Sequence, residues 1–311
     1  MSMYPTPSDD AILIAIDHGY GNIKTPNFCF PAGFAVYDSK PPIASDILNY
    51  KGKYYDIGTG HLEFSHEKTD TTDYYVLTLA AVAKELDAQG RCTANVHLAV
   101  GLPLARFSQQ KDDFREYLLK ENTANFIYNN KWFSVRIKDV FVYPQGFAAV
   151  VPYMGSLKPY SMVCDIGNGT LDMLEIIHHK ANNAHIFTTN LGTSQCLQAV
   201  RDALQNCFGK VLPDEMLEEL LRTGHAPLPK EVLNEAKRHI CAYVDEVFRF
   251  LREHEYDPDT YSLYVVGGGT CLMKQYDKLP DNVIIIDDIA ANAKGYEYLY
   301  RLQSRKEGAK A

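Results

Sequence analysis

Two stretches about 150 residues apart carry the same design. The first runs Ala15-Ile16-Asp17-His18-Gly19-Tyr20-Gly21-Asn22-Ile23-Lys24 and follows an apolar run, Ala11 to Ile16. The second is Met162-Val163-Cys164-Asp165-Ile166-Gly167-Asn168-Gly169-Thr170. Each reads as a buried strand that ends in Asp and drops at once into a turn, with two glycines at identical offsets.

A bend with two glycines lets backbone N–H groups approach a phosphate with no Cβ in the way. An Asp at the strand end suits a hydrated divalent cation of the kind Mg²⁺ forms on nucleotide phosphates. Two such hairpins, facing each other from two halves of a chain, would clamp a triphosphate from both sides. The competing reading is a plain strand-to-turn junction at each place. Asp-x-Gly-x-Gly arises by chance in roughly one chain of this length in ten. Two copies behind matching strands are much rarer, and this favours the clamp.

At 311 residues the chain has ample core and suits two domains, or two halves of a bilobal fold. Its 46% hydrophobic content is ordinary for a soluble globular protein, and no segment approaches the length of a membrane span. The opening Met-Ser-Met-Tyr-Pro-Thr-Pro lacks the pattern of a secretory signal. Cys29, Cys92, Cys164, Cys196, Cys207, Cys241 and Cys271 are odd in number and scattered, with no C-x-x-C pair. That points to reduced thiols in a cytoplasmic protein rather than to a disulfide or zinc framework. A net charge of −8 argues against direct nucleic-acid binding, so any dealing with DNA is expected to run through a partner.

Residues 9 to 65 read as β-rich, with strands over 27–34, 44–50 and 53–57 and a hairpin turn at Gly52. Tyr54, Ile57 and Phe64 are expected in sheet. Asp70 to Asp73 reads as a loop before a helix over 74–89 that stops at Gly90. A strand over 96–100 contains His97, read as a satisfied or surface histidine rather than a ligand. An amphipathic helix over 106–121 and strands over 132–137 and 140–143 follow. His178-His179 falls at a turn, and adjacent histidines there are expected to be exposed. Helices over 195–208 and 230–254 fill a helical insert at about 195–258. The second carries a stripe of Leu233, Ala236, Ile240, Val244, Val247 and Leu251. A terminal helix spans about 289–303.

Two further features carry chemistry. Tyr143-Pro144-Gln145-Gly146 ends a strand and opens a small-residue helix. Gln145 either caps that helix or, beside the clamp, orients a water for in-line attack on a terminal phosphate. Gly267-Gly268-Gly269-Thr270 follows the buried strand 262–266, and three glycines let a flat group pack directly on backbone.

The order of these motifs resembles the actin-fold ATPases over essentially the whole chain. It runs Asp-x-Gly-x-Gly, Pro-Gln-x-x-x-Ala, a second Asp-x-Gly-x-Gly-Thr, Gly-Gly-Gly-Thr and Ala-Asn-Ala-Lys-Gly. Three details look most like the plasmid-segregation actins of the ParM (StbA) type. These are Asp-His-Gly-Tyr-Gly-Asn-Ile-Lys, Val-Gly-Leu-Pro-Leu (100–104) and the Asn-Ala-Lys-Gly-Tyr ending. The resemblance implies an α/β chain of two lobes, 1–160 and 161–311. Each lobe has an RNase H-like sheet core flanked by helices, with the nucleotide in the cleft between them and the terminal helix returning towards the first lobe. It also implies ATP (GTP left open) with Mg²⁺, a self-assembled polar filament, and an adaptor protein bound to centromere-like plasmid DNA.

By position, Asp17 and Asp165 resemble the acidic pair that orders Mg²⁺ through its waters. Gly19, Gly21 and Asn22, with Gly167, Asn168, Gly169 and Thr170, resemble the two phosphate hairpins. Lys24 falls where actins place a phosphate-contacting lysine, and a cation on a β-phosphate is sound chemistry. Gln145 takes the water-orienting position, where ParM-type proteins often carry Glu; the departure leaves the hydrolysis rate open. Asp172 supports the cation or the water. Gly267, Gly268, Gly269 and Thr270 resemble the adenosine motif. Glu235, Lys237 and Arg238 lie on a helix suited to base and ribose contacts, but read more simply as an exposed face.

Other classes fit less well. A small-molecule kinase of the same fold needs a catalytic Asp in the first lobe, and no convincing candidate lies near 75 to 105. A peptide-binding chaperone needs a substrate domain beyond the ATPase core. A cell-shape or division actin tethered to membrane needs an apolar helical face that the polar tail lacks.

Overall fold

The structure, a computed structural model, describes residues 11–60, 68–69 and 71–308. The expected sheet residue Phe64 and loop residue Asp70 lie outside the described residues. The chain forms two compact units. The first is built from the chain up to Pro152 together with the stretch from Ala290 onward, and the second is Tyr153–Ile289.

The described strands of the first unit are β1 (Ile12–His18), β2 (Asn22–Lys24), β3 (Cys29–Pro31), β4 (Phe34–Tyr37), β5 (Ile47–Tyr50), β6 (Lys53–Ile57), β7 (Thr93–Leu102), β8 (Thr123–Tyr128) and β9 (Lys131–Pro144). They pair in the order β3-β2-β1-β7-β9-β8-β5-β6-β4. β1, β7 and β9 run parallel at its centre, with Ile12 opposite Val96 and Ile16 opposite Val100. Strands covered on both faces read as nearly unbroken apolar runs, which is the pattern of both β1 and β7. Parallel strands also end at one edge of the sheet, so Asp17, Leu102 and Pro144 reach the same edge.

Helix α1 (Asp73–Ala88) buries twelve of its sixteen residues, as a helix apolar on all sides must. It closes on Gly90 at φ +68, with Gly90 N–H on the Asp87 carbonyl and Arg91 N–H on the Leu86 carbonyl. Helix α2 (Leu104–Leu119), the short α3 (Phe147–Val150) and the last helix (Ala291–Gly308) complete the unit. His97 is satisfied: its Nδ1 lies 2.5 Å from the Tyr300 hydroxyl of the last helix.

Several boundaries differ from the sequence reading. The strand expected over 27–34 is two, because the chain bends at Ala32, whose N–H bonds the Gly21 carbonyl. The strands expected over 132–137 and 140–143 are one, β9. Its register against β7 slips by one residue at Lys138, a bulge that mimics a break in the apolar pattern. β8 was not anticipated, although Ala124, Phe126 and Tyr128 alternate inward. Two-residue turns with both residues left-handed close three hairpins: Lys51-Gly52, Asn129-Asn130 and His178-His179.

The second unit has β10 (Tyr160–Ile166), β11 (Leu171–Ile177), β12 (Lys180–Thr189), β13 (Ser262–Val266) and β14 (Val283–Ile285), paired β12-β11-β10-β13-β14. Helices α4 (Thr193–Phe208), α5 (Asp214–Thr223), α6 (Lys230–Glu253) and α7 (Thr270–Lys274) belong to it. The α6 stripe is buried at Ala236, Ile240, Val244, Val247 and Leu251, and half-buried at Leu233. Burial pushes the Cys164 thiol of β10 well up from its ordinary range, so it behaves as a small neutral core group.

His18 gives the first unit a pH dependence. Its ring is fully buried, edge-on to Tyr74 and Phe114. The Thr78 hydroxyl donates to the Tyr74 carbonyl, so His18 Nε2–H donates to Thr78 Oγ1 at 2.8 Å. Desolvation, and then the nearby Lys68 charge, hold its pKa well below 6.5. The folded ring stays neutral while the unfolded chain takes up a proton below pH 6.5, so this stability is present above that pH and lost as pH falls. Melting between pH 7.5 and 5.5 should show up to about 1.4 kcal/mol lost per pH unit from this group. His18→Leu should lack that component, and equal slopes in the two proteins would refute the assignment.

Candidate functional site

The two Asp hairpins are built alike down to individual hydrogen bonds. In the first, Gly19 N–H donates to the Asn22 carbonyl at 3.1 Å and Asp17 stands opposite Lys24. In the second, Gly167 N–H donates to the Thr170 carbonyl at 2.8 Å and Asp165 stands opposite Asp172. Residues directly opposite in an antiparallel pair project from the same face. The first hairpin therefore sets a cation beside its Asp, whereas the second sets another carboxylate there.

Asp17, 2% exposed, has three partners within its own unit. Lys24 Nζ lies 3.5 Å from Oδ2. Gln145 Nε2 donates to Oδ1 at 2.7 Å, and the Tyr296 hydroxyl donates to Oδ1 at 3.2 Å. A carboxylate this buried is tolerated as an anion only with such donors. With its N–H₂ committed to Asp17, the Gln145 amide keeps its Oε1 as an acceptor.

The Gln145 backbone is fixed as well. Its N–H bonds the Leu102 carbonyl at 2.9 Å, and Gly146 at φ +70 turns the chain from β9 into α3. The helix begins at Phe147, so Gln145 precedes it and does not cap it by its side chain. Sequence reasoning singled out Gln145 but missed Tyr296 as a member of this cluster. The Asn-Ala-Lys-Gly-Tyr run contained it, but apolar spacing on a helix gives no sign that a hydroxyl reaches back to β1.

In the second unit Asp165 is 8% exposed. The Asp172 carboxylate accepts from Thr170 Oγ1 at 3.2 Å and from Thr188 Oγ1 at 2.5 Å. The hairpin tip rests on the start of α4. Thr193 N–H bonds the Gly167 carbonyl at 3.0 Å, and Ser194 N–H bonds the Asn168 carbonyl at 2.9 Å. Asn168 Oδ1 accepts from Thr193 Oγ1 at 3.3 Å, so that side chain serves the tip itself. Gly192 permits this approach: a Cβ there would fall 2.3 Å from the Asn168 carbonyl oxygen.

The three glycines after β13 have separate duties. Gly267, at φ +88, lies against Asp165, and a Cβ would fall 2.4 Å from Oδ1. A Cβ on Gly269 would fall 2.2 Å from the Ile166 side chain. A Cβ on Gly268 would meet nothing within 4 Å, so of the three it alone could carry a side chain without a clash. Thr270 donates to the Gly267 carbonyl at 3.1 Å and closes the turn. On α6, Glu235 is held by Arg238 and then His239, with its carboxyl lowered to about 2, and Lys237 pairs with Asp277 at 2.7 Å. These form a surface ion-pair face.

The strand-end carboxylates and glycine turns could hold a hydrated cation on a nucleotide's phosphates. Among the described residues no three His, Cys, Asp or Glu side chains are grouped to hold a metal ion. Strand-end carboxylates suit a cation that keeps its waters and rides on phosphate. Among the same residues no helix is long and apolar enough to cross a membrane.

Solved structures share this architecture. An archaeal actin homologue, Ta0583, in complex with ADP, superposes with a TM-score of 0.75 at 18% identity, over 93% of this chain and 99% of that one. A ParM from a 15-stranded filament of Clostridium botulinum gives 0.73 at 19% identity, over 94% and 99%. The actin-like protein Alp7A gives 0.74 at 15% identity, over 96% and 99%. No curated protein sequence matches the chain. The fold is that of the actin-like proteins, an α/β architecture of two sheets with flanking helices. Residues 15–147, which carry the first hairpin and Gln145, match the family described as actin like proteins N terminal domain.

The glycine assignments are testable by stability. Gly267→Ala combines a left-handed φ with a collision at Asp165 and should cost about 1–3 kcal/mol in urea unfolding. Gly268→Ala should stay within about 0.5 kcal/mol of the parent. The reverse ranking would show that the turn is built differently.

Proposed function

We propose that the chain is a cytoplasmic ATPase that assembles into a polar filament and moves plasmid DNA through a DNA-bound adaptor protein. The observation that carries the reading is the repeated hairpin, with Asp17 joined to Gln145 in the first copy. Low-identity neighbours described as a ParM filament and as an ADP complex of an actin homologue support it. GTP in place of ATP is an outcome of the same assays.

In this reading Gly19, Gly21 and Asn22, with Gly167, Gly169 and Thr170, offer backbone N–H groups to phosphate oxygens. Lys24 places its ammonium beside them and turns part of its charge from Asp17 to phosphate. Asp17 and Asp165 would order Mg²⁺ through its waters, and Asp172 would support the cation or the water. A cation held there would supply charge neutralisation on the transferring phosphoryl group. Gln145, anchored through its Nε2 to Asp17, uses Oε1 to accept a hydrogen bond from the attacking water and set its direction. Gly268 lets the adenosine portion lie on backbone.

Light scattering with pelleting, with and without Mg-ATP and followed by phosphate release, tests the whole reading. Nucleotide-dependent assembly followed by hydrolysis is expected. Nucleotide binding without assembly across salts and concentrations would transfer the chain to the small-molecule kinases.

Two variants test the roles. Asp165→Ala should lower Mg-dependent turnover on the order of 100-fold. Gln145→Ala should slow hydrolysis by a similar factor while nucleotide affinity changes little. Parent-like turnover in the first, or lost binding with an unchanged hydrolytic step in the second, would sink the corresponding role.

A further inference from the structure

The last helix acts on the Asp17 cluster in a way that neither hairpin motif accounts for. Asn292 Oδ1 accepts the Gly146 N–H at 2.9 Å, and the Tyr296 hydroxyl reaches Asp17 Oδ1 at 3.2 Å. The two residues are four apart, on one face of one helix. A single rigid turn therefore touches both the carboxylate and the backbone that carries Gln145.

Tyr296 is locked in place. Its side chain is fully buried and stacks on Tyr143 with ring centroids 6.1 Å apart and planes 15° apart. The ring occupies the room that Gly101 leaves: a Cβ there would fall 2.0 Å from the Tyr296 hydroxyl oxygen. Below it, a Cβ on Gly295 would fall 2.0 Å from the Ala148 carbonyl oxygen, so the helix backbone sits directly against α3. A phenol oxygen lies on the ring's own axis, so rotation of the ring leaves it where it is. The packing therefore fixes the donor's position.

We infer that Tyr296 is a positioning residue for the nucleotide chemistry. It holds the Asp17 carboxylate in the orientation from which it orders the cation's waters, while Asn292 fixes the turn that aims Gln145. This rests on the magnesium-nucleotide reading above. The plainer alternative is a core tyrosine whose hydroxyl bonds the nearest acceptor with no effect on the cation. Tyr296→Phe separates the two, because the ring and its packing stay and only the hydroxyl goes.

The test is calorimetric titration of ADP into the full chain, once with Mg²⁺ and once with EDTA, which requires no turnover. In the parent protein Mg²⁺ should tighten ADP binding. In Tyr296→Phe that enhancement should shrink about five- to tenfold, the scale of one typical net hydrogen bond, with binding in EDTA unchanged. Gly101→Ala, which pushes the hydroxyl away from the opposite side, should shrink the same ratio. Thermal unfolding of each sample checks that the ring still packs. An undiminished enhancement in folded Tyr296→Phe overturns the positioning role and leaves the nucleotide reading standing. No enhancement in the parent overturns both.

Discussion

A carboxylate buried to 2% exposure is the constraint around which the first unit is arranged. Left alone at that depth, Asp17 would be costly as an anion. Lys24 comes from the adjacent strand, Gln145 from the end of β9, and Tyr296 from the last helix. The sheet order makes this possible. β1 lies between β2 and β7, with β9 next, and the three parallel strands finish at one edge. Ligand sites in α/β sheets gather at the carboxyl ends of parallel strands for this reason. Residues 128 and 279 positions from Asp17 thus become its neighbours.

The second unit surrounds its carboxylate differently. The residue opposite Asp165 is Asp172, itself held by two threonine hydroxyls. The chain around the hairpin is packed so closely that Gly192, Gly267 and Gly269 are each needed by a neighbour inside the unit. Of the glycine triplet, this leaves Gly268 as the position where openness itself is the property.

Much of this was legible from residue order, because a strand that ends in Asp before two glycines is a local feature. The hairpins, the glycine triplet, the stripe of α6 and the stop at Gly90 are all of that kind. What escaped depends on contacts across the chain. Tyr296 and Asn292 are ordinary helix residues until the helix is laid against β1 and α3. Gly101 looked like part of a short motif, yet its bareness makes room for the Tyr296 ring. The division of β9 into two strands failed for a local reason: one bulged residue at Lys138 shifts the inward positions and imitates a boundary. β8 alternates properly, but its outward Thr123 and Asn125 make a short strand resemble a loop.

The first unit takes its material from both sides of the second, and this sets an order of events on the ribosome. The second unit is a single uninterrupted stretch. Asp17 is translated 279 residues before Tyr296. A nascent chain therefore holds Asp17, Lys24 and Gln145 while the helix that completes the carboxylate's surroundings is still unmade. A chain that stops before 290 has every sequence motif of its first hairpin without the finished Asp17 cluster.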